Sequence, residues 1–365
     1  MKVLLAAVNA KYIHSNLGIY SLKAYGEKML AEQGFKREQI QIELAEYTIN
    51  HQLEQILKDL YCRKPDVIGF SCYIWNISYI KCLLADIKKV LPEVKIWLGG
   101  PEVSYCGEEI LREQPAADLV MKGEGEETFA QLLQVLVEKE GSGASFSGYL
   151  EKIKQKWIPG LVFLDSQGNK DGAAWGTFTG SDGQAGWPVY DTGIRPPMDM
   201  NRIPFPYGFL EMEQLEHRII YYESSRGCPF SCAYCLSSID KSVRFRSLER
   251  VKEELFFFLN ARVPQVKFVD RTFNCKKSHA MAIWQFIREN DNGITNFHFE
   301  IAADLLDQEE LNLLSSMRPG LIQLEIGVQS TNPDTLSAIR RKTDIAEIRK
   351  ITHHINSTTS TSIWI

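Results

Sequence analysis

The sequence predicts an α/β protein: a doubly wound parallel-sheet domain, followed by a partial (β/α) barrel of the TIM type. Short continuous apolar runs alternate with amphipathic stretches of helical length in both halves of the chain, a pattern typical of parallel strands buried on both faces. The 365 residues are 44% hydrophobic and 24% charged, which is an ordinary globular composition with enough length for two domains. We expect domains at 1–140 and 217–365, joined by a linker at 141–216.

In the first domain the apolar runs predict five strands, at 3–8, 41–45, 66–72, 94–98 and 117–121. Amphipathic stretches between them predict helices at 17–32, 53–60, 77–91 and 126–139. In such a sheet, ligands bind beyond the carboxyl ends of the strands, near the point where the strand order reverses. The loops at those ends therefore hold the candidate binding residues.

Those loops are rich in small and polar residues. Glycine lets the backbone approach a bulky ligand closely, so we select candidates from the loops at 9–18, 71–76, 99–102 and 123–127. They are Asn9, His14, Ser71, Gly99, Gly100, Gly123 and Gly125. A structural interpretation stays open, in which the glycines form turns and the acidic residues of 123–127 favour the start of a helix.

The linker is marked by Gly, Ser and isolated Trp residues over 141–184. Within it, residues 160–170 predict a small β-hairpin. Pro204 and Pro206 then favour an extended segment that leads into the second domain.

The second domain repeats the alternation of strands and helices. Strands are predicted at 218–223, 265–270, 296–301 and 321–326, and helices at 248–260, 278–290, 308–317, 333–339 and 345–355. The last residues predict the beginning of a fifth strand. Functional groups of such a barrel lie at the carboxyl ends of its strands. The acidic residues found there are Asp270, Glu300 and Glu325.

Three cysteines directly after the first strand of this domain form the most specific motif in the chain: Cys228, Cys232 and Cys235. Structural zinc sites usually take four ligands, whereas a four-iron cluster held by three thiolates keeps one iron open to a small molecule. The alternatives are buried core cysteines or a zinc site completed by Cys275. We expect Cys275 to be a spare thiol.

The cysteine spacing after a strand, with Arg226-Gly227 before it and Tyr234 inside it, resembles the signature of the radical S-adenosylmethionine (SAM) enzymes. The resemblance implies a 4Fe-4S cluster on the three cysteines, with SAM on the open iron and cleavage to a 5′-deoxyadenosyl radical. It also implies SAM contacts at Tyr234, Asp270, Glu300 and Glu325, and reduced ferredoxin or flavodoxin as the electron donor.

The stretches Leu-Gly-Gly-Pro-Glu at 98–102 and Gly-Glu-Gly-Glu-Glu-Thr-Phe at 123–129 resemble the cobalamin-binding domain of a large radical SAM subgroup. That subgroup includes the anaerobic magnesium-protoporphyrin ester cyclases and radical methyltransferases. The resemblance implies cobalamin at the seven loop candidates, and methyl transfer or ring formation on an unknown small-molecule or peptide substrate. His14 lies four positions before Gly18 and lacks the aspartate that precedes the cobalt-ligating histidine of cobalamin mutases, so we expect a satisfied loop histidine.

Two alternatives to this function stay open. In the first, the N-terminal domain binds no cobalamin, as in methylthiotransferases, which carry three more clustered cysteines; here Cys62, Cys72, Cys82 and Cys106 are scattered. In the second, the chain is a non-catalytic fragment that binds a cluster. A radical SAM core normally has six strand and helix units, so we expect this core to be truncated, with an unpaired strand edge.

Composition excludes other classes. The net charge of −5 argues against a nucleic-acid-binding surface. No apolar run reaches the roughly 18 residues of a membrane span. The chain opens with a core strand rather than a targeting leader, which predicts a cytoplasmic location with reduced thiols.

Overall fold

The computed structural model describes residues 1–36, 38–140, 149–165, 187–208, 217–358 and 361–364. These residues form two compact units. The first comprises the described residues of Met1–Met198 and Ile203–Leu210, and the second comprises those of Asp199–Arg202 and Glu211–Ile365.

The first unit contains a seven-stranded sheet. Its strands are β1 (Lys2–Asn9), β2 (Gln41–Thr48), β3 (Val67–Ser71), β4 (Lys95–Gly99), β5 (Leu119–Met121), β6 (Leu161–Leu164) and β7 (Val189–Asp191). Its helices are α1 (Leu17–Glu32), α2 (Leu53–Arg63), α3 (Ile77–Val90), α4 (Gly107–Glu113), α5 (Glu126–Glu140) and α6 (Tyr149–Lys156). The predicted strands and helices are all present, so the α/β fold class is confirmed. The sequence did not predict α4 and α6, which are too short to show a clear helical period.

The strand order is β2-β1-β3-β4-β5-β6-β7. Strands β1 to β5 are parallel, because every neighbouring pair among them runs in the same direction. The chain moves from β1 to one side for β2 and then to the other side for β3, so the order reverses at β1. The carboxyl ends of β1 and β3 therefore border the crevice where doubly wound sheets bind ligands.

Part of the predicted linker extends this sheet. β6 pairs antiparallel with β5, with Val162 opposite Val120, and β7 pairs antiparallel with β6. The predicted hairpin at 160–170 is thus replaced, over its described residues, by pairing of β6 with the distant strand β7. Its proposed turn lies outside the described residues. Long-range pairing of this kind leaves no local signal in the sequence.

The second unit contains a five-stranded parallel sheet in the order β14-β13-β12-β11-β8. Its strands are β8 (Ile220–Tyr222), β11 (Gln265–Phe268), β12 (Asn296–Ile301), β13 (Ile322–Ile326) and β14 (Ser362–Trp364). A separate antiparallel pair is formed by β9 (Ser225–Arg226) and β10 (Arg244–Phe245). The helices are α7 (Leu248–Asn260), α8 (Lys277–Glu289), α9 (Gln308–Ser315), α10 (Pro333–Ala338) and α11 (Ile345–Thr358).

The two faces of this second sheet differ in chemistry. One face carries an aromatic cluster, in which the ring of Phe299 lies 4.4 Å from Phe268 and 4.3 Å from Phe273. Trp284 of α8 packs edge-on against the same ring. The other face carries alternate residues that are polar, including Tyr221, Lys267, His298, Glu300 and Glu325. Parallel sheets usually bury both faces in apolar contacts, so a polar face is a departure that indicates a functional surface.

Within the described part of the chain, no helix combines the length and apolar composition needed to cross a bilayer.

Candidate functional site

The three motif cysteines lie in a loop that is closed at its base. Strand β9 enters the loop and β10 leaves it, with Arg226 opposite Arg244 and Ser225 opposite Phe245. Inside the base, the amide of Cys228 donates a hydrogen bond to the carbonyl of Asp240 at 3.2 Å. The antiparallel pair therefore gathers a 17-residue segment, 227–243, into one compact loop.

Gly227 is required by this closure. Its φ is +95°, and a Cβ built on it would lie 2.5 Å from the carbonyl oxygen of Ser242. A side chain at this position would combine backbone strain with a clash against main-chain atoms. The glycine before Cys228 thus lets the two sides of the loop meet.

The thiols of the loop are free and largely shielded. Cys228 and Cys232 are buried and Cys235 is half-buried, and none of them forms a disulfide. Cys235 also donates its amide to the carbonyl of Cys232 at 3.2 Å. Among the described residues, no three His, Cys, Asp or Glu side chains gather around one metal position. Structural zinc sites usually take four ligands, whereas three thiolates from one loop can hold three irons of a four-iron cluster, so the donor set fits such a cluster.

Asp270 anchors the start of the loop. It follows β11, is 1% exposed, and its carboxylate accepts hydrogen bonds from the Ser224 amide (3.0 Å), the Ser224 hydroxyl (2.7 Å) and the Ser225 hydroxyl (2.6 Å). Nε2 of His279 lies 3.3 Å from the Ser224 hydroxyl. The carboxylate of Asp270, which was predicted to contact SAM, thus accepts hydrogen bonds from the segment that leads into the cysteine loop.

Burial raises the pKa of Asp270 to about 6, although the hydrogen bonds from both serines favour its charged form. A carboxyl whose folded pKa is raised contributes stability that is present below its ordinary pKa, near 4, and is lost as the pH rises through about 6. We therefore expect the free energy of unfolding of the wild type, relative to Asp270→Asn, to fall by roughly 2 kcal/mol between pH 4 and pH 7. Urea unfolding of both proteins across this range measures the difference.

The variant Asp334→Asn is the matched control, because it removes the same negative charge at an exposed position. A difference between wild type and Asp270→Asn that stays constant from pH 4 to pH 7 would contradict the burial argument.

Glu300 and Glu325 meet at Lys267 on the polar face of the second sheet. They are register partners on β12 and β13, and Nζ of Lys267 lies 2.8 Å from Glu325 and 3.5 Å from Glu300. Burial raises the pKa of Glu300, and the charge of Lys267 offsets only part of that effect. Burial also acts on Glu325, but its hydrogen bond and charge contact with Lys267 lower its pKa overall.

Two further titratable groups share this face. Nε2 of His298 lies 3.0 Å from the Glu325 carboxylate. Burial raises the pKa of Tyr221 to about 12, with both glutamates adding to the effect. The polar face therefore presents proton donors and acceptors around one lysine.

In the first unit, Glu46 at the end of β2 fixes the loop that follows β1. Its carboxylate accepts hydrogen bonds from the Asn9 side chain at 2.9 Å and from the Asn16 amide at 2.8 Å, as well as from the Tyr20 hydroxyl. Asn9 also donates to the carbonyl of His14 at 3.1 Å. Asn9 and His14 are thus held together in one loop, as the sequence predicted for their positions.

Asn76 and Ser71 join that loop to the next one. Asn76 is fully buried, and its side-chain amide donates to the carbonyls of Val8 (3.0 Å) and Ser71 (2.9 Å). The hydroxyl of Ser71 accepts a hydrogen bond from the Asn16 side chain at 3.3 Å. The carboxyl ends of β1 and β3 are therefore tied at the switch point of the sheet.

Gly99, Gly100 and Gly123 lie at the ends of β4 and β5. Gly100 has φ +114°, and a Cβ there would lie 2.5 Å from the carbonyl oxygen of Cys72. The hydroxyl of Ser104 donates to Gly100 O at 2.8 Å and accepts from Gly123 N at 3.2 Å. Gly125, two residues further on, would place a Cβ 3.1 Å from Leu22. Four loops at one edge of the sheet are thus locked into a common surface.

The acidic residues of 123–127 have partners inside the first unit. Glu124 accepts from the amide of Met198 at 3.2 Å, Glu126 from the hydroxyl of Ser21 at 3.0 Å, and Glu127 forms an ion pair with Arg195 at 3.1 Å. Their contacts fit the structural interpretation of this stretch.

Large apolar side chains are exposed along the same edge. They lie in the loops after β1, β3 and β4, and their exposed fractions range from 43% to 78%. They are Tyr12, Ile13, Ile74, Trp75 and Tyr105. Exposed apolar groups clustered at a ligand-binding edge indicate a contact surface for a large, partly apolar molecule.

Glu46, Ser104 and Arg341 have roles that the sequence reasoning did not assign. Glu46 and Ser104 fasten the loops just described, and Arg341 contacts the cysteine loop. A polar residue directly after a predicted strand was a usable signal for Glu46, which stands two residues before Thr48, the last residue of β2. Nothing local marked the other two.

Two family models match the chain. The first is the B12 binding domain, over residues 3–133, and the second is the radical SAM superfamily, over residues 222–361.

Curated relatives match most of the chain. The uncharacterized methyltransferase PH0819 of Pyrococcus horikoshii is 29% identical over 285 residues, which cover 75% of this chain and 54% of that protein. The anaerobic magnesium-protoporphyrin IX monomethyl ester cyclase of Rubrivivax gelatinosus is 23% identical over 317 residues, covering 81% of this chain and 50% of that protein. The chain thus spans about half the length of these relatives.

The fold of the chain also matches about half of a longer protein of known structure. The cobalamin-dependent S-adenosylmethionine radical enzyme OxsB, with aqua-cobalamin and S-adenosylmethionine bound, has a TM-score of 0.71 and 19% identity. The match covers 99% of this chain and 48% of that one. The chain thus carries a B12 binding domain followed by a radical SAM domain with the cysteine loop in it, and it resembles the radical SAM proteins that have both domains in this order.

Proposed function

We propose that the chain is the core of a cobalamin-dependent radical SAM enzyme. The observation that carries the proposal is the closed loop that presents three free thiols, at Cys228, Cys232 and Cys235. When bound there, a 4Fe-4S cluster supplies the electron that cleaves SAM to the 5′-deoxyadenosyl radical.

The chain's own residues hold and orient these groups. The three cysteines are proposed as the iron ligands, with Tyr234 at the rim of the loop and 52% exposed. Glu300 and Glu325 are proposed to accept hydrogen bonds from SAM, and Lys267 limits the charge that they carry towards it. Asp270 is proposed to act through Ser224 and Ser225, because all three of its described hydrogen bonds go to these two residues.

Cobalamin is proposed to bind at the carboxyl edge of the first sheet. Support comes from the locked loops that carry Asn9, His14, Ser71, Gly99, Gly100, Gly123 and Gly125. The exposed apolar residues beside them provide contacts for a large ring system. Cobalamin, when bound, supplies the methyl-transfer chemistry that the names of several relatives indicate.

The reaction is proposed to modify an unactivated carbon of a small-molecule or peptide substrate, by methyl transfer or by ring formation. Both chemistries occur among the relatives' names. Reduced ferredoxin or flavodoxin is proposed as the electron donor, and the reducing cytoplasm as the location, supported by eight cysteines that all remain free.

Protein purified without oxygen and reconstituted with iron, sulfide and cobalamin tests the proposal. We expect about four irons and four sulfides per chain, a bound corrinoid spectrum, and 5′-deoxyadenosine after addition of SAM and a reductant. Protein that takes up no iron, or that holds zinc at the loop, would overturn the proposal. A cluster without 5′-deoxyadenosine indicates a non-catalytic chain, and a cluster without corrinoid indicates the cobalamin-free alternative.

Gly100→Ala is expected to lower the affinity for cobalamin by at least about tenfold, because the added Cβ would collide with the carbonyl of Cys72 and displace the loop. Gly34→Ala is the matched control. Gly34 also has a positive φ, of +81°, but a Cβ there meets nothing within 4 Å. Titration of each variant with cobalamin, followed by absorbance, measures the effect, and equal affinities for the two variants would contradict it.

A further inference from the structure

Arg341 contacts the cysteine loop from a distant part of the second unit. Its Nη1 lies 3.9 Å from the sulfur of Cys232 and 3.4 Å from the hydroxyl of Tyr234. Its Nη2 donates to the carbonyl of Gly327, just after β13. One guanidinium therefore bridges the loop to the exit of β13, which is separated from β8 by two strands of the sheet.

The backbone holds Arg341 in this position. The amide of Ala233, inside the cysteine loop, donates to the carbonyl of Ile339 at 2.9 Å. The amide of Arg341 donates to the carbonyl of Leu336 at 2.9 Å, which closes the turn after α10. Backbone hydrogen bonds thus hold the segment of Arg341 against the cysteine loop, so the contact with Cys232 does not depend on the flexible arginine side chain alone.

Among the described residues, no carboxylate forms an ion pair or a hydrogen bond with Arg341. In the part of the chain that the structure describes, its contacts are the sulfur, the hydroxyl and the carbonyl already named, and its Nε is buried without a hydrogen-bond partner. A guanidinium keeps its charge at every physiological pH. Cys232 therefore faces a permanent positive charge in a shielded site, where electrostatic effects are larger than in water.

We propose that Arg341 is a positioning residue whose charge makes the cluster on the loop easier to reduce, an inference that rests on the proposed function. Reduction takes one electron from a low-potential one-electron donor, such as a reduced ferredoxin, and adds one negative charge to the cluster without a proton. A cation fixed beside one of the ligating sulfurs stabilises the more negative state. The same contacts hold the ring of Tyr234 at the rim of the loop.

The midpoint potential of the reconstituted cluster tests this inference, measured by electron paramagnetic resonance during a redox titration. We expect Arg341→Gln to lower the equilibrium constant for reduction by at least about tenfold, which corresponds to about 59 mV for one electron. Arg341→Lys keeps the charge and is expected to hold a potential close to that of the wild type. Arg340→Gln, at the exposed neighbouring position, is the matched control and is expected to leave the potential unchanged.

A potential unaffected by Arg341→Gln, or lowered equally by Gln and Lys, would overturn the role of the charge. If the Arg341→Gln variant binds no iron, the Arg341→Lys variant provides the test. A cluster in Arg341→Lys with the wild-type potential would support the proposal, and loss of the cluster in Arg341→Lys would overturn it. Wild-type protein without iron and sulfide would overturn both this inference and the proposed function. A wild type that binds a cluster, with no shift in Arg341→Gln, would overturn this inference alone.

Discussion

Cys232→Ala is expected to lose essentially all bound iron and sulfide, and with them the formation of 5′-deoxyadenosine. The loop supplies three thiols, and two remaining thiolates are too few to hold a four-iron cluster stably. Cys228→Ala and Cys235→Ala are expected to behave in the same way. Iron and sulfide analysis of anoxically reconstituted protein measures the loss.

Cys275→Ala is the control, because Cys275 lies outside the loop and is half-buried. We expect it to keep the full cluster. Since Cys232 is buried, circular dichroism and the Cys232→Ser variant separate misfolding from loss of a ligand. Iron retained in Cys232→Ala but lost in Cys275→Ala would contradict the proposed ligand set.

Arg246→Met is expected to destabilise the second unit by about 3 to 5 kcal/mol, because it leaves the carboxylate of Glu254 buried without its counter-charge. Arg246 is 4% exposed and Glu254 7% exposed, and Nε of Arg246 lies 3.0 Å and 2.8 Å from the two carboxylate oxygens. Tyr222, on the strand that leads to the cysteine loop, donates its hydroxyl to Glu254 at 2.6 Å. Urea unfolding measures the loss.

The double variant Arg246→Met with Glu254→Leu removes both charges and is expected to recover most of the stability, as replacement of a buried pair by apolar residues often does. Arg250→Met, on the exposed surface of α7, is the control for the loss of one arginine. If Arg246→Met alone is as stable as the double variant, the charge left on Glu254 costs little, and the argument from the buried ion pair is wrong.

Local pattern predicted most of the fold. The bounds of α1, α7 and β12 coincide with the predicted ranges 17–32, 248–260 and 296–301. The apolar period is clear in α7 and β12, and the start of α1 is marked by Asn16, whose side chain caps it. The edge strand β7 and the pairing of β6 with β5 and β7 escaped prediction, because these pairings join residues far apart in sequence. Pairing partners are a property of the whole sheet, and a short apolar run does not identify its neighbour.

The site shows the same division. Loops at the carboxyl ends of strands could be named from their position alone. The contacts of each side chain in these loops could not be predicted from position. Asp270 was expected to contact SAM because it lies at a strand end, but its carboxylate accepts hydrogen bonds from two serines that lie 46 and 45 positions earlier. Arg341 lies 109 positions after Cys232, and no spacing rule relates them.

The contrast between the two faces of the second sheet limits how its strands can assemble. Sliding β12 by a single residue against its neighbours would turn His298 and Glu300 into the aromatic layer and place Phe297 and Phe299 on the polar face, because side chains alternate along a strand. Mispaired intermediates would thus bury unpaired charge, at a cost of several kcal/mol. The charges that line the polar face of the sheet therefore also disfavour wrong strand registers during folding.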